Sequence, residues 1–323
     1  MIPERVFNWA VWGGLLAFAL LAEALGETYW LTLAARAAIF AIAGVGLNLA
    51  LGNGGLISFG HAAFFGVGGY AVGILATHAQ TYTPLFGLIE GTQSMPVTWS
   101  VAIVAGALAA LVIGALSLRT SGAYFIMITL AFGQMFYYFA VTWSAYGGED
   151  GMSIYVRGGF PGLNTLDPLH FFGLSFAVLT LVLLLVRMID RSPFGLALNA
   201  VRQSPARVET VGISPRRLRL AAFVVSGAIT ALAGALFADL NRYVSPAMFS
   251  WTISGEIMIF VILGGVARLM GPVVGALVFV ALEELLGGLS DYWHIWLGVL
   301  LLLIVLFARG GITGALTREA RRG

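Results

Sequence analysis

The sequence predicts an all-α fold: a polytopic transmembrane helical bundle of about ten spans, within a range of eight to ten. Three observations predict it. Hydrophobic residues are 59% of the 323 and charged residues only 10%, a balance foreign to soluble globular proteins. Continuous apolar runs of about 20 residues, the length that crosses a bilayer as a helix, recur along the chain. The short alternating segments of a membrane β-barrel are missing from those runs. A single domain, 1–323, is expected.

Two absences narrow the function. With no cysteine there is no disulfide, thiolate chemistry or cysteine metal site. All 17 basic residues are arginine. A P-loop needs its lysine to reach nucleotide phosphates, so ATP-driven work would need an ATPase on another polypeptide. The four histidines, His61, His78, His170 and His294, show no metal-ligand spacing on a helix. No nucleophile elbow or catalytic carboxylate pair is visible, and nothing points to nucleic acid.

In chain order, the expected spans are 9–25, 30–50, 60–77, 97–118, 122–143, 171–188, 219–240, 252–267, 270–287 and 293–308. The first follows Arg5 and resembles a signal peptide in its flanks. It lacks a convincing cleavage pattern, however, and reads as a retained span. The eighth and ninth are short enough to form a re-entrant hairpin. Ten spans put both termini and the loop 187–219 on one side. That loop holds seven arginines, and the tail 309–323 holds four more. Basic loops stay in the cytoplasm, so this side is expected to be cytoplasmic. Glu90, Glu149, Asp150, Asp167 and Asp291 fall on the other side.

Between the second and third spans, Asn48, Asn53, Ser58 and His61 surround the helix-breaking cluster Gly52, Gly54 and Gly55. Two readings stand: a tight cytoplasmic turn, slightly favoured, or non-helical backbone beside a permeation path, tolerated only where protein or a water-filled cavity covers it. Ala62, Gly66, Gly69 and Gly73 then share one helix face, expected to let helices approach closely. The fifth span carries Thr129 and Gln134. It ends in Tyr137, Tyr138 and Trp143, residues suited to an aromatic belt. The loop that follows contains Glu149 and Asp150 without calcium-loop spacing and reads as a hydrophilic turn that could also receive an external partner. Later in the chain, Asp239, Glu283 and Glu284 lie near span ends, whereas Glu256 is well embedded. Intramembrane ionisable groups are costly and face cavities or partner charges. Asn48, Ser58, His61, Gln134 and Glu256 are therefore the candidate path residues.

The polar stretch 187–219 is punctuated by Ser192-Pro193, Ser204-Pro205 and Ser214-Pro215. Serine suits the N-cap and proline the first helical position, so each pair predicts a helix start. The middle helix is short, Pro205 to Val211, closed by Gly212. A short capped helix on an arginine-rich face reads equally as a docking surface or as a solvated loop that fixes topology.

Five ordered blocks carry a family resemblance: GLNLALGNGGLISFGHAAFFGVGGYA; RTSGAYFIMITLAFGQM with GGEDG; SPFGLALNAVRQSPARVETVGI; LAAFVVSGAITALAGALFA; and ILGGVARLMGPVVGA. Over about residues 40–310 the chain resembles the LivM-type permease subunit of branched-chain amino acid ABC importers. The resemblance implies alternating-access import across a bacterial inner membrane. It also implies partners: a second homologous permease, two cytoplasmic ATPases carrying the ATP and Mg, and a periplasmic solute-binding protein, with no cofactor in this chain. It matches the stretch 194–213 to the family's coupling loop, which places Ala200, Arg202, Gln203, Ser204, Arg207, Glu209 and Gly212 at the ATPase interface. Gln203 stands where the family often has an acid, Pro205 follows the serine, and Ala267-Arg268 replaces a usual glycine-serine pair. Similar permeases serve urea and short amides, so these solutes are the alternative cargo. A stand-alone ion-coupled transporter built on Glu256 and the broken 46–61 region is the contrasting class, although no internal sequence repeat supports it.

Overall fold

The computed structural model describes residues 2–84, 91–288, 293–307 and 310–318. Seven helices in it are long and apolar enough to cross a membrane: α1 (Glu4–Ala24), α2 (Thr28–Asn48), α3 (His61–Thr81), α4 (Met95–Ser117), α5 (Ala123–Thr142), α6 (Pro168–Arg191) and α9 (Pro215–Asn241). Three shorter apolar helices follow, α10 (Trp251–Gly264), α11 (Gly271–Gly287) and α12 (Trp293–Phe307). Each of the ten expected spans thus has its helix. At 14 to 17 residues the last three are about 21–26 Å long, short of the ~30 Å hydrocarbon core. The polar stretch holds α7 (Pro193–Gln203) and α8 (Pro205–Thr210), and α13 (Gly311–Leu316) lies near the C-terminus.

All three Ser-Pro pairs open a helix with proline in the first turn. The serine caps are a partial correction. Ser192 accepts from the Gly195 N–H at 3.3 Å, whereas Ser204 and Ser214 make no side-chain cap bond. Proline removes one of the orphan N–H groups that a cap would satisfy. Exposed helix starts can leave the rest to water.

The two ends of the chain meet. β1 (Ile2–Pro3) runs parallel beside β4 (Thr317–Arg318). The Arg268 guanidinium donates to Thr317 Oγ1 at 2.6 Å, and Arg216 Nη2 donates to the Ala115 carbonyl at 2.9 Å. The termini, the turn 265–270, the inner end of α4 and the α7–α8 hairpin therefore share one end, called the basic end below. This requires an even number of crossings. Residues 309 and 319–323 of the tail, with Glu90 and Asp291, lie outside the described residues.

α9 is the central post, flanked by α2, α3 and α4. A Cβ on Gly68 would stand 1.8 Å from the Ala231 carbonyl oxygen, and one on Gly234 would stand 1.8 Å from that of Phe65. The two helices thus cross with backbones touching, and Phe64, Phe65, Phe223 and Phe260 are fully buried around them.

Two non-helical segments enter the bundle from opposite ends. From the basic end, a π-turn over Leu49–Asn53 extends α2, and residues 54–60 then lead to α3. From the other end, residues 242–250 follow α9 and lead to α10. β3 (Tyr243–Val244) in this second segment pairs antiparallel with β2 (Met152–Ser153). The favoured tight turn at 52–60 is thus corrected. Gly52, Asn53, Ser58 and Gly60 are buried, because partners 70 to 150 residues away cover the segment. The glycine face of α3 does allow close approach. Gly66 meets Phe249, Gly69 meets Met248 and Gly73 meets Val244 and Met152. That face receives the entering segment and its strand partner, while the close helix crossing is made by Gly68.

Candidate functional site

The α7–α8 hairpin is built as a surface. Gly195, Leu198, Val201 and Val208 point into the protein and anchor it. Ala200, Arg202, Gln203, Arg207, Glu209 and Gly212 are exposed and Ser204 is half-buried. Gly212 takes φ +82°, the left-handed conformation that suits a helix stop. Sequence reasoning missed the apolar members of this face: Leu196 is 62% and Val211 70% exposed. Both are large apolar side chains on the hairpin's outer surface, for which a solvated loop has no use. Arg202 differs from its neighbours, since its guanidinium donates to the Gly52 carbonyl.

The expected path residues do not form one cluster. The Asn48 amide is spent on the turn 265–270. Its Nδ2 donates to the Arg268 carbonyl at 3.0 Å and its Oδ1 accepts from the Ala267 N–H at 2.9 Å. Ala267 itself stands at φ +64°, where the family's usual glycine would be unstrained. Ser58 Oγ accepts from the Gly60 N–H at 3.2 Å. His61 is fully buried between Phe64 and Phe223. Its Nε2 lies 2.8 Å from Ser226 Oγ, which donates to the Gly46 carbonyl at 2.6 Å. The serine proton is used there, so the imidazole must be the donor to Ser226. These contacts make His61 a clamp joining α2, α3 and α9. Gln134 lies half-buried on α5, with Nε2 unbonded.

Glu256 lies within electrostatic reach of Glu283 and Arg36. Arg36 Nη2 pairs with Glu283 Oε1 at 2.8 Å, and the Tyr29 hydroxyl donates to Glu284 Oε2 at 2.6 Å. Sequence spacing could not show this group, since its members come from α2, α10 and α11. The available signal was Arg36 itself, a lone charge inside an apolar run that demands a partner.

At the opposite end, Arg157 donates to the carbonyls of Thr165, Asp239 and Leu240 at 2.7, 2.9 and 3.0 Å and stacks on Phe171. Burial lowers its pKa from the usual arginine value. Trp99 Nε1 donates to Asp239 at 2.9 Å. The loop containing Glu149 and Asp150 is thus tied to the bundle, and Tyr243 donates to the Asp150 carbonyl. Trp143, assigned to the aromatic belt, helps line an open apolar groove behind α5.

A bundle of apolar helices joined through a buried polar framework, with a partly exposed hairpin at one end, defines a multi-pass membrane protein. The chain belongs to the family of branched-chain amino acid transport system permease components, whose profile matches residues 29–308. It is 29% identical over 300 residues, 85% of this chain and 67% of the relative, to the high-affinity branched-chain amino acid transport system permease protein LivM of Escherichia coli (strain K12). It is 26% identical over 280 residues (80% of this chain, 85% of the relative) to the probable branched-chain amino acid transport permease protein LivH of Methanocaldococcus jannaschii. Over 155 residues (46% of this chain, 45% of the relative) it is 31% identical to the autoinducer 2 import system permease protein LsrC of Enterobacter sp. (strain 638). No solved structure matches. The chain is a transmembrane permease subunit and a transport component.

Proposed function

We propose that this permease imports branched-chain amino acids by alternating access in an ATP-binding-cassette importer. The observation that carries the docking reading is the α7–α8 hairpin, which exposes the apolar Leu196 and Val211 together with Arg207 and Glu209. Large apolar side chains exposed together with charged ones mark a protein contact, and a chain without lysine cannot form a P-loop of its own. Two cytoplasmic ATPases, carrying the ATP and Mg, dock on this face and its counterpart in a second homologous permease. A periplasmic binding protein delivers cargo at the opposite end. The basic end then faces the cytoplasm of a bacterial cell, with both termini, because seven arginines in one loop are retained inside. The cargo assignment rests on the names of the relatives that match most of this chain. Urea and short amides are the alternative cargo.

The test is to tag the chain, purify it gently from native membranes and identify its companions by mass spectrometry. A second permease with P-loop ATPases is the expected result. A chain that purifies alone and still moves solute in liposomes would overturn the proposal and turn attention to Glu256.

A further inference from the structure

We propose that Arg202 is a positioning residue for transport. It latches the α7–α8 hairpin to the buried segment 52–60, and that segment carries hairpin movement to α5. The proposal deepens the importer reading and rests on it for the source of the movement.

The latch at the near end has four parts. The Arg202 guanidinium donates to the Gly52 carbonyl. Its stem lies along Gly55, where a Cβ would stand 3.2 Å from Arg202 Cγ. Leu198 Cδ1 is 3.7 Å from the Cβ position of Gly54. Asn53 Nδ2 donates to the Asp190 carboxylate at the end of α6. The hairpin and the last turn of α6 therefore grip four consecutive residues. Three of these are glycines, whose missing side chains allow the approach.

At the far end the segment grips α5. The Phe59 N–H donates to Thr129 Oγ1 at 3.3 Å. A Cβ on Gly60 would stand 2.9 Å from the Thr129 carbonyl, and one on Gly133 would stand 3.7 Å from that of Phe59. Between the two grips only residues 56–58 intervene, and extended backbone gains at most about 3.6 Å per residue. The two grips are thus joined by the shortest stretch of chain between the hairpin and α5, and that stretch carries hairpin movement to α5.

α5 is fitted to receive it. Only Phe125, Thr129, Gly133 and Ala140 of its residues are buried. Much of its support comes from non-helical chain: residues 59–60 at its middle and Phe249, which stacks on Phe136 at 6.0 Å, further along. Behind its outer half lies an open apolar groove of about 290 Å³, lined by Tyr70, Ile74, Phe136, Phe139 and Trp143 among others, so α5 has few side chains to displace on that side. Gln134 and the exposed Met127 and Met135 would move with it.

The absence of native cysteine makes the test clean. Spin labels on M127C (α5) and V104C (α4) report the position of α5, and labels on V104C and L184C (α6) serve as the fixed control. Pulsed distance measurements on the full-length chain in liposomes require no partner. R202A should raise the minor α5–α4 distance population roughly tenfold, the size expected for losing a charged hydrogen bond. R202K should retain most of the native distribution, T129V should shift it the same way as R202A, and the control pair should hold. Unchanged α5–α4 distances in both R202A and T129V would overturn the proposal. If R202A also broadens the control pair, the remote T129V decides alone. Because no transport is read, failure of the latch and failure of the importer reading are separate results.

Discussion

Replacing Val211 with aspartate probes the docking face where it is most exposed. The side chain is 70% exposed and ends a short helix, so the substitution removes no contact that holds the fold. Burying a valine fully is worth about 1.5–3 kcal/mol. The share this side chain would gain against an ATPase is then on the order of 1–2 kcal/mol. Each 1.4 kcal/mol is a factor of ten, and the aspartate adds an unpaired carboxylate to the contact. Val211→Asp should therefore weaken binding of the purified ATPase to permease vesicles by about tenfold or more, with insertion and thermal stability unchanged. Leu196→Asp, 62% exposed on α7, should act in the same direction. Native ATPase affinity in the double variant would refute the reasoning that these apolar residues await a partner.

Other expectations follow from the interior. Gly68→Val places a side chain where even a Cβ would lie 1.8 Å from the Ala231 carbonyl oxygen. The α3–α9 crossing must then open, at a cost of roughly 1–3 kcal/mol or more, and folded yield by size-exclusion should collapse. Arg36→Ala leaves Glu283 without its partner. The unpaired charge then lowers the melting temperature, and Arg36→Met with Glu283→Leu should restore it. Ala267→Gly relieves a left-handed alanine at φ +64° and should stabilise the chain by up to about 1 kcal/mol, read as a higher unfolding midpoint.

How much of this was legible in the sequence differed by the range of the interactions. Local signals were reliable. Apolar run length located all ten long apolar helices, and Pro193, Pro205 and Pro215 each opened a helix. Gly212 closed the short one. Long-range partners were invisible. The glycine cluster at 52–55 reads as a surface turn until Arg202, Asp190 and Thr129 close over that region. His61 and Asn48 read as path residues because they are polar among apolar neighbours. Ser226 and the turn 265–270 instead engage them as structural joints. Arg36 and Glu283 are 247 residues apart, beyond any spacing rule. The expected glycine face of α3 was right about close approach, and the structure adds its partners, Phe249, Met248, Val244 and Met152. Sequence periodicity identifies a face but not what packs on it.

The most direct measurement is uptake of labelled leucine into proteoliposomes containing this chain with its co-purified subunits, ATP supplied on the cytoplasmic side and the proton gradient collapsed. The account predicts uptake that continues without a gradient and stops when ATP is replaced by a non-hydrolysable analogue. Uptake that ignores ATP and disappears with the gradient would contradict it.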